Sequence, residues 1–396
     1  MHTSPAAQPG TADAGGMNVA LRSLATELAV RGVQVELLTR AQGEPSEREL
    51  EPGVILHEIA VGARGPIAKE DLAAVSDEFG EAVARLARRS DAAFDLIHAH
   101  YWLSGIATLP VALELGLPFV QSFHTIAAMK NALSGHGAAS ESDRRLHSES
   151  YLAAQATAII AGSAAEATFL IDEVRAPADR VWVIPPGVDI DLFRPNREGA
   201  EERVRRQWLI APDRPIIVVA GRVQPLKDQE LAIRAVAAVH RKTDHAPVLV
   251  VAGEATPGDE SYLAGLYSLT EELGLEEHVR FTGALGREAL AELFAAADLT
   301  LVTSHSETFG LVALESAASG TPVIGFRSSG MVESIAEGVS GSLVDSREPR
   351  IWADAISSLL GDELAREELS GSARHHALGF TWAASATALL GVYGSL

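Results

Sequence analysis

Cysteine is absent from this chain of 396 residues. Its absence rules out disulfides, thiol nucleophiles and cysteine-ligated metals, and it leaves the redox compartment open. Long hydrophobic runs are absent too, since no stretch approaches the roughly 18 apolar residues that a membrane-spanning helix needs. The start of the sequence contains proline, aspartate and glycine instead of a cationic and then apolar leader. We therefore expect a cytoplasmic protein without a membrane partner.

Positive charge is scarce in this sequence. The chain has 32 Lys and Arg residues against 53 Asp and Glu residues, which gives a formal net charge of −21. A protein with this overall field repels nucleic acids and anionic lipid surfaces, so we expect no nucleic-acid partner. A ligand that carries phosphate must instead be held by a local pocket of cations.

The composition and the hydrophobic pattern are those of an α/β protein. Hydrophobic residues make up 47 % of the chain and charged residues 21 %, with 34 glycines. Short β-branched runs such as DLIHAH, PIIVVAG and LTLVTS alternate with amphipathic helical stretches. This alternation predicts parallel sheets covered by helices. Because the chain is too long for one ordinary core, we predict two Rossmann-like domains with a central cleft.

The best domain boundary runs from Pro185 to Pro195, where prolines and a glycine make the segment stiff. We predict an N-terminal domain over residues 1–190 and a C-terminal domain over residues 191–378. Residues 379–396 are predicted to form a C-terminal helix that packs back toward the N-terminal domain.

The amino terminus departs from the expected order of elements. Gly10–Asn18 has the pattern of a Gly-rich loop that opens a helix, a place where phosphate-binding amides gather. Such a loop normally follows a strand, but only Met1–Ala7 precede it here. The first strand is therefore predicted to be missing or short, and the true amino terminus is left open.

Two acids mark the stretch Ser306–Ser316, SETFGLVALES. Glu307 follows an apolar strand, and Gly310 lets the backbone come close to a ligand. The amides that follow form a predicted helix amino terminus, which favours an anion or a hydroxyl-rich ligand. Residues eight apart share a helix face, so Glu315 reaches the same ligand farther along. The alternative for both acids is ordinary solvated surface charge.

Two cations follow another predicted strand, PIIVVA, in the segment Gly221–Lys227. The glycine permits a turn, and Arg222 and Lys227 stand where a strand end meets a helix start. Cations at that place neutralise a diphosphate through charge-assisted hydrogen bonds. Solvated cations at a helix start are the alternative.

The segments GGMN, GRVQPLK and ETFGLVALE together resemble the retaining glycosyltransferases of the GT-B fold, and PPGVDIDLF at the linker fits the same family. The resemblance covers nearly the whole chain. HTSPAAQPGTADAGGMNV, DLIHAHYWLSG and HTIAAMKN look like the actinobacterial branch that transfers N-acetylglucosamine to D-inositol 3-phosphate in mycothiol synthesis. The resemblance implies a metal-independent, retaining transferase without a cofactor. The favoured donor is UDP-N-acetylglucosamine, and the favoured small anionic acceptor is D-inositol 3-phosphate.

The resemblance also implies roles for individual residues. The donor site would contain Gly16, Arg222, Lys227, Leu285, Glu307, Thr308, Phe309, Gly310, Leu311 and Glu315. The acceptor site would contain Asn18, Lys69, Tyr101, Thr125 and Arg145. The catalytic residues would be Arg222, Lys227, Glu307 and His124. For Arg145, the alternative is one of several solvated charges on a helix surface.

Two departures from the family pattern leave the donor base open between uracil and guanine. Arg327–Gly330 reads RSSG where the family usually has two glycines after the arginine, and residues 284–286 read ALG where an arginine between prolines is expected.

Three alternatives to the favoured function remain. One is a paralogous secondary-metabolite transferase, such as one joining a GDP-octose to ergothioneine in a lincosamide pathway. The others are a nucleotide-sugar epimerase and a non-catalytic two-domain binding protein.

Two patterns imitate metal sites, but no metal is predicted. Asp189 and Asp191 form a DxD pattern, yet nothing nearby in the sequence completes an octahedral oxygen shell. His98 and His100 share one face of a strand, and one satisfied buried histidine with one cleft histidine is favoured over a metal pair. The oligomeric state is left open, with a homodimer among the options.

Overall fold

The computed structural model describes residues 1–8, 10, 14–68, 71–89, 93–132, 141–243, 246–328 and 330–396. The chain divides into two compact units. Unit 1 consists of Met1–Ala7, Gly16–Pro185 and Trp382–Leu396, and unit 2 consists of Gln8–Gly15 and Pro186–Thr381. The division after Pro185 falls within the prolines of the predicted boundary, slightly before residue 190.

Among its described residues, unit 1 contains two sheets. The strands are β1 (Val35–Arg40), β2 (Ser46–Glu51), β3 (Val54–Ile59), β4 (Ile97–His100), β5 (Phe119–Ser122), β6 (Ala158–Ala161) and β7 (Val181–Val183). One sheet has the order β1-β3-β2 and the other the order β4-β5-β6-β7. All pairs are parallel except the antiparallel pair β2–β3. In the described residues no strand precedes the first helix, and β1 and β4 both lie at sheet edges.

Helices cover the strands of unit 1. They are α1 (Gly16–Val30), α2 (Ser76–Arg89), α3 (Trp102–Leu115), α4 (Ala127–Asn131), α5 (Asp143–Gln155), α6 (Ala164–Asp172) and, at the end of the chain, α15 (Trp382–Tyr393). Ser142 caps α5 and Ser163 caps α6, each accepting a hydrogen bond from a backbone N–H in the first turn. Helix α15 belongs to unit 1 because its buried face, which includes Leu389, packs with Val120 of β5 and Leu28 of α1.

The described residues of unit 2 form one sheet, in which all strand pairs are parallel. Its strands are β8 (Ile216–Ala220), β9 (Val248–Ala252), β10 (Val279–Gly283), β11 (Leu299–Val302), β12 (Val323–Phe326) and β13 (Gly341–Val344). The order is β10-β9-β8-β11-β12-β13, so the chain starts in the middle and reverses direction between β8 and β11. Strands β9 and β11 are buried throughout, as expected where helices cover both faces. This is the strand order of a Rossmann fold.

The helices of unit 2 cover both faces of its sheet. They are α7 (Ala200–Gln207), α8 (Gln229–His240), α9 (Glu260–Glu272), α10 (Arg287–Ala296), α11 (Leu311–Ala318), α12 (Met331–Ser334), α13 (Pro349–Gly361) and α14 (Glu363–Ala377). Val236 of α8 and Trp352 of α13 lie in the core on one face, and Phe294 of α10 lies in the core on the other. No helix in the described part of the chain is long and apolar enough to cross a membrane.

Candidate active site

The reversal of strand order in unit 2 brings together the two segments that the sequence singled out. Strands β8 and β11 are neighbours, and ligands bind beyond the carboxyl ends of strands at such a switch point. The loop after β8 carries Lys227, and the loop after β11 carries Thr303 and His305. The loops are joined by hydrogen bonds from Thr303 Oγ1 to the Lys227 carbonyl (2.9 Å) and from the His305 N–H to the Leu226 carbonyl (2.9 Å).

Lys227 and Glu307 form an ion pair at this switch point. Lys227 Nζ lies 2.5 Å from Glu307 Oε1, and the Ser304 hydroxyl donates to the same oxygen at 2.7 Å. The two side chains are 21 % and 17 % exposed, so a ligand can reach them while much of each is shielded from water. An ammonium group there stabilises phosphate oxygens, and a carboxylate accepts hydrogen bonds from sugar hydroxyls.

The backbone from Glu307 to the start of helix α11 depends on two glycines. Gly310 lies within this segment, and Gly330 packs against it from another part of the chain. Gly310 has a φ of +94°, in the left-handed region, and a Cβ on it would come within 2.7 Å of Met331 Sδ. Gly330 donates its N–H to the Glu307 carbonyl at 3.1 Å, and a Cβ on Gly330 would lie 2.4 Å from that oxygen. Gly310 thus serves the packing of this loop, and its role toward a ligand stays a prediction. In the RSSG sequence of residues 327–330, Gly330 is the residue that must be a glycine, because a Cβ there would clash with the Glu307 carbonyl.

Phe309 and Leu311 flank Gly310 at the start of α11. The Phe309 side chain is only 4 % exposed and its ring packs 5.7 Å from that of Phe380. Its side chain therefore belongs to the core, and only its backbone can serve a ligand. The predicted donor set needs the amides of Thr308 to Leu311 rather than their side chains, and these amides precede or begin a helix whose dipole favours an anion.

Arg222 lies at the start of the same loop as Lys227. A Cβ built on Gly15, which belongs to unit 2, would stand 3.7 Å from Arg222 Nε. The Gln229 amide donates to the Arg222 carbonyl at 3.0 Å and fixes the loop. Burial and neighbouring Glu260 raise the pKa of Asp259, and the charge of Arg222 opposes that rise. Arg222 is thus placed among charged groups at the carboxyl end of β8.

The second acid of the motif, Glu315, has a cationic partner that the sequence did not reveal. Arg287 Nη1 of α10 lies 3.2 Å from Glu315 Oε1, and the Arg287 guanidinium stands 5.1 Å from the centre of the Phe193 ring. Burial raises the pKa of Glu315 to about 7, Arg287 counteracts the rise, and Asp189 adds to it. Glu315 therefore changes charge near neutral pH.

We expect Glu315→Gln to stabilise unit 2 at pH 8. The folded pKa is about 7 and the reference value 4.5, so the folded state binds the proton more tightly and loses stability as pH rises through that window. A shift of this size corresponds to about 3 kcal/mol at pH 8. The variant's melting temperature should exceed that of the wild type by several degrees at pH 8 and match it near pH 4.5. Glu272→Gln, an exposed acid on α9, is the control, and a pH-independent difference would contradict the cause given.

In unit 1, two strained residues stand at the ends of neighbouring strands. Tyr101 directly follows β4 and has φ 74° and ψ 151°. His124 follows β5 closely and has φ 61°. Non-glycine residues rarely adopt such angles, and strain of this kind clusters at functional sites. Because β4 and β5 are parallel neighbours, the two residues lie side by side at the carboxyl ends of these strands.

His124 is the last of three histidines that contact one another in a row, with His98 and His100 of β4. His100 Nδ1 and His124 Nε2 share a hydrogen bond of 2.8 Å, and the His98 ring stacks on His100 at 4.1 Å. His98 also bonds to the Tyr393 hydroxyl (2.6 Å) and to Ser122 Oγ (2.9 Å). Burial lowers the pKa of His98 to about 3 and that of His124 to about 4. These rings are neutral at physiological pH and act as hydrogen-bonding groups instead of cations.

The structure brings together three of the predicted acceptor residues, Tyr101, Thr125 and Arg145. Arg145 Nη2 donates to the Thr125 carbonyl (2.9 Å) and to Thr125 Oγ1 (3.0 Å), and its guanidinium lies 5.0 Å from the centre of the Tyr101 ring. Arg145 is only 2 % exposed, so the alternative of a solvated surface charge is wrong. Lys69 lies outside the described residues.

The remaining predicted residues have other surroundings. Asn18 is 2 % exposed, and its amide donates to Thr3 Oγ1 (3.1 Å) and to the Ser4 carbonyl (2.7 Å), so it anchors the first residues. Gly16 begins α1 and is exposed. Leu285 is half-buried in the loop before α10 and packs against the core there.

The DxD pattern has structural partners. Asp189 Oδ1 accepts the Leu192 N–H at 3.0 Å, and Asp191 interacts electrostatically with Arg374. The Arg374 guanidinium itself donates to the Ile190 carbonyl at 3.1 Å. Both aspartates therefore take part in fixing the turn that follows Pro186.

Comparison with known proteins places this geometry in a family. The family model for glycosyltransferase family 4 matches residues 14–192, and that for glycosyl transferases group 1 matches residues 200–376. The D-inositol 3-phosphate glycosyltransferase of Nocardia farcinica is 39 % identical over 100 % of this chain and 88 % of its own length. The protein of that name from Frankia alni is 41 % identical over 99 % of this chain and 97 % of its own length. The chain belongs to the GT-B glycosyltransferases.

Solved structures share the fold of this glycosyltransferase. Sucrose-phosphate synthase from Thermosynechococcus elongatus aligns with a TM-score of 0.90 and 28 % identity, covering 100 % of this chain and 97 % of that one. An Anabaena protein, HepE, solved in complex with UDP-glucose aligns with a TM-score of 0.71 and 25 % identity, covering 80 % of this chain and 82 % of that one. The prediction of two Rossmann-like domains with parallel sheets is confirmed.

One group in this glycosyltransferase that sequence reasoning missed supports the Lys227 turn. Arg347 Nη2 donates to the Thr303 carbonyl at 2.5 Å and to the carboxylate of Asp228, and its guanidinium stands 4.6 Å from the centre of the Phe326 ring. Asp228 has a φ of 48° and caps α8. Arg347 follows β13 in a polar stretch, so only the strand order could have shown that it reaches the residue after Lys227.

Proposed function

We propose that this glycosyltransferase moves a sugar, with retention of its anomeric configuration, from a nucleotide-diphosphate sugar to a small anionic acceptor. The favoured donor is UDP-N-acetylglucosamine and the favoured acceptor is D-inositol 3-phosphate. The observation that carries this proposal is the Lys227–Glu307 ion pair before α11, in a chain similar over its whole length to D-inositol 3-phosphate glycosyltransferases.

The geometry of unit 2 supports a nucleotide-diphosphate sugar as the donor. Lys227 and the amino terminus of α11 supply a cation and backbone N–H groups, the two features that bind phosphates best. Glu307 accepts hydrogen bonds from the transferred sugar, and Glu315 accepts them from the ribose. The Anabaena protein solved with UDP-glucose shows that a protein of this fold takes such a donor.

The geometry of unit 1 supports an anionic acceptor. Arg145 presents a guanidinium beside the Thr125 hydroxyl and the Tyr101 ring, and a guanidinium with hydroxyl groups suits a phosphate. Burial raises the pKa of Tyr101, so its hydroxyl keeps its proton and can donate it in a hydrogen bond. His124 is neutral and suits an uncharged hydroxyl near the reacting carbon.

The proposed reaction exchanges one bond for another on the same face of the sugar. The bond from the sugar C1 to the diphosphate oxygen breaks, and a bond from C1 to the acceptor oxygen forms. The proton of the acceptor hydroxyl passes to a phosphate oxygen of the leaving diphosphate. Lys227, Arg222 and the amides before α11 stabilise the charge that develops on the diphosphate. This scheme needs no protein nucleophile and no metal ion.

A paralogous transferase with another donor or acceptor is the second candidate. The loop that precedes α10 reads Ala284-Leu285-Gly286, and the arginine that follows it, Arg287, is paired with Glu315. If Glu315 accepts hydrogen bonds from the ribose, as proposed, then Arg287 also lies at the ribose end of the donor, and Leu285 is the residue of this loop that remains for the base. This arrangement favours no base strongly, so UDP and GDP donors both belong in the test.

The test is a panel of UDP-sugars and GDP-sugars, each with and without candidate acceptors and with and without EDTA. We expect release of UDP only when an anionic inositol acceptor is present, no effect of EDTA, and an α-linked product from an α-linked donor by NMR. Products from a GDP-sugar and another acceptor would favour the paralogue. A changed sugar without any acceptor would indicate an epimerase, and binding without product would indicate a binding protein.

A further inference from the structure

Tyr101, Thr125 and Arg145 form the acceptor cluster of unit 1. At this cluster, two cations converge on one carboxylate oxygen. Glu141 Oε1 accepts a hydrogen bond from Lys130 Nζ, and it lies 2.8 Å from Arg145 Nη1. Burial raises the pKa of Glu141, but the charges of Arg145 and Lys130 lower it further, so the net pKa is below its ordinary value. Glu141 is therefore an anion at neutral pH. A single carboxylate oxygen held by two cations marks a position with high affinity for an anion.

Arg145 has a second carboxylate partner of a different kind. Glu149 Oε1 lies 2.7 Å from Arg145 Nε, and Glu149 Oε2 accepts the Ala127 N–H at 2.7 Å. Glu149 and Arg145 are each 2 % exposed, so this pair is buried and fixed. It supplies the counter-charge that a buried guanidinium needs.

Glu141, in contrast, stands where solvent can reach it. Its side chain is 21 % exposed and that of Lys130 is 29 % exposed. The backbone of Glu141 is held separately, because its N–H donates to Asn131 Oδ1 at 2.7 Å. The carboxylate can therefore leave the two cations by rotation of its side chain, without movement of the backbone.

We infer that the Glu141 carboxylate occupies the anion position of the acceptor site and that the acceptor's phosphate displaces it onto solvent. This inference rests on the proposed function of an anionic acceptor. In the displaced state, the phosphate is bound by Lys130 and Arg145 Nη1 beside the Thr125 hydroxyl. Lys130 then becomes a further acceptor-binding residue, and Glu141 becomes a residue that sets specificity.

The exchange favours acceptors with more charge. A monoanionic carboxylate acceptor replaces Glu141 with a group of the same charge and gains little. A phosphate carries a charge near −2 and more acceptor oxygens, so it gains additional charge-assisted hydrogen bonds from the same two cations. Because Glu141 competes for the site, the apparent affinity equals the intrinsic affinity multiplied by the fraction of molecules in which the Glu141 carboxylate has left the site.

The first experiment measures steady-state kinetics of Glu141→Gln and Lys130→Met. In Glu141→Gln the competing charge is gone, so the KM for D-inositol 3-phosphate should fall about fivefold or more, while kcat and the donor KM stay unchanged. In Lys130→Met the acceptor KM should rise. Glu114→Gln, which breaks the exposed Arg88–Glu114 ion pair of the same unit, is the matched control. An acceptor KM that is unchanged or raised in Glu141→Gln would overturn the inference.

The second experiment needs no transfer and separates this inference from the proposed function. Inorganic phosphate, compared with chloride at equal ionic strength, should raise the melting temperature of Glu141→Gln more than that of the wild type. Glu141→Asp keeps the charge on a shorter side chain and should respond to an intermediate degree, also if Glu141→Gln folds poorly. Equal responses to phosphate in all three proteins would overturn the inference. Failure of the wild type to use any anionic acceptor would instead overturn the proposed function.

Discussion

Replacement of Lys227 by alanine is expected to lower kcat by at least about 100-fold with the fold retained. In the proposed reaction, Lys227 supplies a charge that acts mainly on the leaving diphosphate, where negative charge grows in the transition state. Its ammonium group pairs with the carboxylate of Glu307, and its backbone bonds to Gln224 in the same loop and to the Thr303 hydroxyl in the loop after β11. Removal of the ammonium group therefore affects the chemical step more than the packing of unit 2.

The measurement is kcat and KM with saturating acceptor, with circular dichroism and melting temperature as the check on folding. Lys242→Ala is the matched control, because Lys242 lies in the same unit and forms an exposed ion pair with Asp354. It should leave kcat unchanged. A kcat of Lys227→Ala within about threefold of the wild type would remove Lys227 from the active site.

The fold could be predicted where hydrophobic strands are buried on both faces. Apolar, β-branched runs such as PIIVVAG and LTLVTS are typical of strands in the middle of a parallel sheet, and they form β8 and β11. Strands β2 and β13 lack such a run. β2, SERELE, is charged and mostly solvent-accessible because it pairs at the edge of the smaller sheet of unit 1. Strand β13, GSLV, begins with glycine and serine and has only two apolar residues, so its pattern resembles that of a turn.

The candidate site could be predicted in part. The acids and cations that follow β8 and β11 were identifiable because they stand, together with a glycine, close after apolar runs, and ligands bind at the carboxyl ends of such strands. Their partners were not, since Arg287 and Arg347 reach Glu315 and Asp228 from distant segments. These ion pairs depend on the three-dimensional arrangement of unit 2. Its strand order places β8 between β9 and β11, and helices α10 and α11 pack in the same core cluster.

The acceptor cluster illustrates why residue type alone misjudges a role. The pattern ESDRRLHSE offers two adjacent arginines, and nothing in it distinguishes exposed Arg144 from buried Arg145. The distinction comes from the angular position of Arg145 on α5, which faces Glu149 one turn later and the loop after β5. Burial turns Arg145 from a surface charge into part of the structure of unit 1.

Arg145→Ala is therefore expected to destabilise unit 1 by about 3–5 kcal/mol, because it leaves the buried Glu149 carboxylate without its cation. Arg144→Ala, the exposed neighbour, should change the free energy of unfolding by less than about 1 kcal/mol. The double variant Arg145→Leu with Glu149→Leu removes both buried charges and should recover much of the loss, since a well-packed apolar pair often replaces a buried ion pair at no net cost.

Urea unfolding of the four proteins measures these differences. The double variant then separates the two roles of Arg145, because it keeps the fold but lacks the guanidinium. Its acceptor KM should rise by at least about tenfold, the value of one charge-assisted hydrogen bond, while its donor KM stays unchanged. A stable Arg145→Ala protein would mean that Glu149 is protonated or solvated in the variant. An unchanged acceptor KM in the double variant would mean that Arg145 supports the fold and does not bind the acceptor.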